Sequence, residues 1–175
     1  FRRDFTVNAM AVDLSNGHLI DPHGVAADVK NGTLRTLNTK SLSDDPLRTV
    51  RALVAVSKHG FHPDEDTKAQ MTENAEGIAN LPEDRIREEL DKLFAGDNPG
   101  AAFRLAHETG LLKHLLPRVD AAMGWTQDNP HHELELGEHL LSVMERVKDR
   151  RPDDIDLILA GLLHDTGKKD SRWDE

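Results

Sequence analysis

At 175 residues, with 37% hydrophobic and 31% charged positions, the chain is long enough to bury a sizeable core as one large or two small domains. No apolar run approaches the roughly 18 residues needed to cross a bilayer, and no basic leader with an apolar stretch opens the chain, so neither a membrane span nor a secretory signal is expected. The lack of cysteine excludes disulfides and thiolate zinc sites and suits a cytoplasmic setting, while the net charge of −10 disfavours a polyanionic partner over the molecule as a whole.

Residues 9–38 read as β-structure. AMAVDL and HLID flank SNG, and DVK and TLRTL flank a second Asn-Gly, a dipeptide that accepts positive φ and favours tight hairpins. Two hairpins are expected there. From residue 43 the pattern turns helical, with Ser43 or Asp44 as cap, Pro46 in the first turn, Leu47, Val50, Leu53 and Val54 as the buried stripe, and Gly60 as the stop. Further helices are expected over 64–79, 82–95 and 99–109; PEDRIREELDKLFAG shows the pattern, opening with proline and acids and closing on glycine. MGWTQDNP reads as a linker, and two more helices follow over 132–149 and 153–165. The expected fold is mainly α with a small N-terminal α/β portion, a helical neck and a second helical domain from about residue 121. The charged openings of both ends, FRRD and SRWDE, read as a piece of something longer.

Asp45, Arg48 and Arg51 lie three apart and are expected on one side of the first helical turns. A carboxylate only accepts hydrogen bonds and a guanidinium only donates them. Side by side they match the edge of cytosine or adenine, where an exocyclic amine donates and a ring nitrogen accepts. Uracil and guanine present the reverse order. A mismatched polar group in a closed site costs on the order of 1–3 kcal/mol, enough to discriminate. The alternative is a solvated i,i+3 ion pair worth a few tenths of a kcal/mol. Charge supports a local anion site: residues 1–60 carry eight Lys/Arg against six Asp/Glu, and residues 61–175 fourteen against twenty-six. Within FRRDFTVNAMAVD, Arg2 and Arg3 suit phosphate oxygens and Asp4 suits a ribose hydroxyl, or the segment is simply a charged loop leading into a strand.

RRDFTVNAMA, LIDPHGVAADVKNGTLRT, DDPLRTVRA and LPEDRIREELDKLFAG, in this order and spacing, resemble the bacterial tRNA nucleotidyltransferases that add CCA, in the class II family shared with bacterial poly(A) polymerase. The resemblance implies addition of CCA to tRNA 3′ ends from CTP and ATP, with poly(A) synthesis as the alternative. It implies that Arg2, Arg3 and Asp4 contact triphosphate and ribose, and that Asp45 and Arg48 read the base with help from Arg51. Where the family often continues with Arg-Phe, this chain has Val54 and Ala55. The family's Gly-rich turn with its following D-x-D pair, which holds two magnesium ions, is not found here. No catalytic residue is therefore assigned in this chain, and no nucleotidyl transfer is expected from it alone. The implied domains are the C-terminal part of a head (1–40), a nucleotide- and RNA-binding neck (41–120) and an incomplete third domain (121–175).

In that third domain, DLILAGLLHDTGKK ends an apolar helix on His164 and Asp165, a ligand pair suited to divalent ions. His139 sits among Leu136, Leu140, Val143 and Val147 and is expected to point inward, as a core histidine or as a third ligand. These helices resemble the HD phosphohydrolase domain, which implies His139, His164 and Asp165 as ligands of Mg2+, Mn2+ or Ni2+, with a last Asp ligand past Glu175. Lys168 is a candidate for substrate phosphate, or a lysine placed by the helix dipole. His131 and His132 are read as loop residues.

Overall fold

The structure, a computed structural model, describes residues 4–22, 24–125 and 135–168. Arg2, Arg3, His131 and His132 lie outside the described residues. The first Asn-Gly forms its hairpin: β1 (Ala11–Val12) pairs antiparallel with β2 (Leu19–Ile20), and Gly17, at φ 73°, donates to Asp13 O at 2.8 Å.

The second Asn-Gly does not. Asp21 accepts from the N–H groups of Val25 (2.8 Å) and Ala26 (2.9 Å) and so starts a helix, α1 (Ala26–Asn31). Gly32 then closes that helix in the left-handed region at φ 68° instead of turning a hairpin. The strand after it, β3 (Thr33–Leu34), pairs in parallel with the distant β4 (His62–Pro63). A carboxylate cap and a tertiary pairing outweigh the local turn signal here.

A short helix, α2 (Ser41–Asp44), takes the residues expected to cap the next one; Asp45 is extended at φ −149°, and α3 (Leu47–His59) begins after Pro46. Asp45 therefore precedes α3 and does not share its face. The helix expected over 64–79 is broken. α4 (Glu65–Glu73) ends at Asn74, whose side chain donates to Gln70 O at 2.7 Å, and 3-10 turns follow over Ala75–Asn80. α5 (Glu83–Ala95), α6 (Pro99–Glu108), α7 (Leu112–Leu115), α8 (Pro117–Ala122), α9 (Leu136–Arg150) and α10 (Ile155–Leu163) complete the described chain.

One continuous core runs from Phe5 and Leu34 through Leu53, Leu93 and Phe103 to Leu140, Met144, Ile158 and Leu162. α9 and α10 are thus packed on α5 and α6. Lys148, almost fully buried, donates from Nζ to Phe94 O at 2.9 Å, and Arg104 binds Glu138 at 2.8 Å. No described helix is long and apolar enough to cross a membrane.

α3 and α5 lie side by side in the same direction, meeting at their starts through Asp45, just before α3, and Arg85, and at their ends through Ser57 and Gly96. At the latter end Ser57 Oγ donates to Leu93 O (2.7 Å), and Ser57 O accepts from Asn98 N (2.9 Å). A Cβ on Gly96 would stand 2.3 Å from Ser57 Oγ and 2.7 Å from the Ser57 carbonyl carbon. Gly96→Ala is therefore expected to force the helices apart and lower stability by about 1–3 kcal/mol. Urea denaturation checks this; an unchanged midpoint would contradict the close approach.

Candidate functional site

A cleft of about 700 Å3 follows the groove between α3 and α5. Along α3 it is lined by Leu47, Arg51, Val54, Ala55 and Lys58, one helical face at i, i+4, i+7, i+8 and i+11. Along α5 it is lined by Arg85, Glu88, Glu89 and Lys92, and the segment before α1 contributes Asp4 and Asn8. The opposite face of α3 carries Thr49, Leu53 and Val56, buried in the core, which fixes the direction of Arg51 and Lys58 toward the cleft.

Asp4 is almost fully buried on the cleft wall. Its Oδ1 accepts from Phe5 N and Asn8 Nδ2, both at 2.9 Å, and its carbonyl accepts from Ser41 Oγ at 2.7 Å. Oδ2 lies 2.9 Å from Arg51 Nη2, but off line for a hydrogen bond, so this buried oxygen keeps acceptor capacity. Asp45 Oδ1 accepts from Leu47 N at 3.2 Å, while Oδ2 faces Arg85 Nη2 at 3.6 Å, leaving both groups available on the cleft rim.

Arg48 is placed differently from the sequence expectation. Its Nη1 donates to Ser41 O at 2.8 Å and to Ser41 Oγ at 3.3 Å, and it does not line the cleft. The guanidinium beside Asp45 is instead Arg85, from a helix almost forty residues on. Sequence reading missed Asn8, Ser41 and Arg85. The only available signal for Arg85 was its place at the head of a polar stripe, Arg85, Glu88, Glu89 and Lys92, on an otherwise ordinary amphipathic helix.

Two D-x-D tripeptides occur in the chain, and the first acid of each caps a helix. Asp64 caps α4 through Thr67 N (2.9 Å) and pairs with Arg35 (2.6 Å), and Asp154 caps α10 through Leu157 N (3.1 Å). Both acids are occupied by local structure.

At the other end of the molecule, α9 and the end of α10 bring His139, His164 and Asp165 together, with one ligand atom from each lying within 4.8 Å of the others. His164 Nδ1 lies 2.8 Å from Gly161 O, and its Nε2 lies 3.2 Å from Asp165 Oδ2. His139 Nε2 is 3.8 Å from the same oxygen, and the two imidazoles are 5.4 Å apart. Partial burial pushes the Asp165 carboxyl up, but the Lys168 hydrogen bond and the charges of His164, Lys168 and His139 outweigh it, leaving the group below the ordinary carboxylate range. Two imidazoles and a carboxylate converging in this way fit a divalent ion.

A mixed-charge cleft of this size has the dimensions of a small-molecule site. Comparison with known proteins makes this more specific. The Poly A polymerase head domain family matches residues 1–35, and the family described as a probable RNA and SrmB-binding site of polymerase A matches residues 60–123. The multifunctional CCA protein of Neisseria gonorrhoeae is 38% identical over 171 residues, 95% of this chain and 41% of that protein. The Bacillus stearothermophilus CCA-adding enzyme in complex with CTP superposes with a TM-score of 0.64 at 34% identity, over 69% of this chain and 33% of that one. The Thermotoga maritima CCA-adding enzyme complexed with tRNA gives a TM-score of 0.69 at 28% identity, over 99% of this chain and 43% of that one. The chain belongs to the nucleotidyltransferase family of bacterial CCA-adding enzymes and poly(A) polymerases. It spans about two fifths of the length of the curated relatives it matches.

Asp4 and Arg51 are expected to contribute unequally to stability. Asp4→Ala strands the buried Phe5 N–H and is expected to cost about 1–3 kcal/mol. Arg51→Met removes the guanidinium facing Asp4 Oδ2 but leaves the Asp4 bonds to Phe5 N and Asn8 Nδ2 in place, and is expected to cost less than Asp4→Ala. Chemical denaturation of the two variants compares them directly.

Proposed function

We propose that this chain carries the base-reading and RNA-binding part of a cytoplasmic tRNA nucleotidyltransferase that adds CCA to tRNA 3′ ends from CTP and ATP. The observation that carries the reading is the cleft between α3 and α5, where a buried carboxylate, a rim carboxylate and two guanidiniums meet in a space of about 700 Å3. Relatives named for CCA, and similar structures described with CTP and with tRNA, favour this over poly(A) synthesis.

In this reading Asp4 accepts from a ribose hydroxyl through its unspent Oδ2, and Arg51, with Arg2 and Arg3, meets the triphosphate. Asp45 accepts from the exocyclic amine of cytosine or adenine. Arg48 reaches the neighbouring ring nitrogen by exchanging its bond to Ser41. Magnesium, which nucleotidyl transfer generally requires, would activate the 3′-hydroxyl and stabilise pyrophosphate; no residue of this chain is assigned to hold it. Residues 1–40 would serve as head, 41–120 as neck, and 121–175 as an HD-type domain. There, His139, His164 and Asp165 would hold Mg2+, Mn2+ or Ni2+ for hydrolysis of phosphomonoesters or 2′,3′-cyclic phosphates.

Equilibrium binding tests the base reading. CTP and ATP are expected to bind the chain at least about fivefold more tightly than UTP and GTP, since each mismatched polar group costs on the order of 1–3 kcal/mol. Asp45→Ala is expected to abolish that ratio; retention of the ratio would refute Asp45 as the reading acid. Incubated with tRNA lacking its terminal CCA, CTP and magnesium, the chain by itself is expected to incorporate no CMP. Incorporation would mean that its own acids hold the metals.

A further inference from the structure

Asp165 Oδ2 is the meeting point of the His139, His164 and Asp165 cluster, and a cation is already on it. Lys168 Nζ lies 2.6 Å from this oxygen, closer than either imidazole at 3.2 and 3.8 Å. Lys168 belongs to the turn that follows α10, and its backbone N–H donates to Asp165 O at 3.0 Å, so the side chain folds back over the residue it is tied to. A divalent ion bound to the same three groups would sit about 2.0–2.2 Å from Oδ2 and thus within roughly 5 Å of the ammonium. Two cations at that separation repel in a half-buried setting where water screens them incompletely.

We propose that Lys168 is a built-in cation that competes with the divalent ion at Asp165 Oδ2, so that metal loading requires the ammonium to leave the carboxylate. This rests on the reading of the cluster as a metal site and adds what sets its affinity. Lys168 holds the Asp165 carboxylate oxygen that both histidines face. Once displaced, the ammonium stands beside the ion with its charge available, and the group it suits is a substrate phosphate oxygen. Metal arrival would therefore prepare the anion-binding side of the same site.

Calorimetric titration of the full chain with Mn2+ and with Ni2+ tests this, with circular dichroism to confirm that each variant is folded. Lys168→Met, which keeps the bulk and removes the charge, is expected to tighten metal binding roughly tenfold. Lys168→Arg, which keeps the charge, is expected to bind like the parent. Unchanged or weaker binding by Lys168→Met overturns the competition while leaving the metal site in place, provided His139→Ala and His164→Ala lose the ion. If neither the parent nor Lys168→Met binds metal, the metal site and this inference fall together. Binding by Lys168→Met where the parent shows none supports the proposal most strongly.

Discussion

The parallel pairing of α3 and α5 is the constraint on which the rest of the structure depends. Ser57 clasps the end of α5 through its hydroxyl on Leu93 O and the residue that caps α6 through its carbonyl, and only a residue without Cβ allows the backbones to meet at Gly96. With the last turns fastened and one face of each helix buried in a common core, a mixed face of α3, Leu47, Arg51, Val54, Ala55 and Lys58, meets the polar stripe of α5 along a groove. The cleft is the space left between them. Its chemistry follows from which residues fall at helical spacing on the two rims, and its rigidity follows from the clasp.

Within that groove, two carboxylates are held in different ways. Asp4 is buried and anchored by backbone and side-chain donors, so its geometry is set before any ligand arrives. Asp45 sits on an extended residue between two helices, held by Leu47 N on one oxygen and faced by Arg85 across the groove on the other. A preorganised acceptor deep in a site and an adaptable one on its rim suit a ligand with an invariant part and a variable part, as a nucleotide has in its sugar and its base.

The second cluster depends on the same core from the opposite side. α9 is fastened to α5 by Lys148 on Phe94 O and to α6 by Arg104 on Glu138, and Gly161 lets α10 approach Met144 and Val147 on α9. These contacts align His139 with the residues that end α10. Because Gly161 also supplies the carbonyl that orients His164, the close approach of the helices and the direction of the imidazole share one residue.

The sequence by itself determined the mainly helical plan, the amphipathic face of α3, the limits of α5 and the hairpin at the first Asn-Gly. Each of these rests on interactions within a few turns of chain: apolar spacing, proline and acids at a helix start, glycine at its end. His139, His164 and Asp165 were legible as a set through the resemblance to the HD phosphohydrolase domain, since the apolar pattern of α9 left His139 open as a core histidine or a third ligand. Only the tertiary structure decided the rest. The second Asn-Gly became a helix end because Asp21 capped the preceding turn and β3 found its partner far along the chain. Arg85, not Arg48, came to face Asp45 because the packing of α5 against α3 brought it there, while Ser41 drew Arg48 aside. Spacing along a helix fixes which side chains share a face, but a guanidinium on a long stem goes to whichever acceptor the folded neighbours present, and no local pattern encodes that.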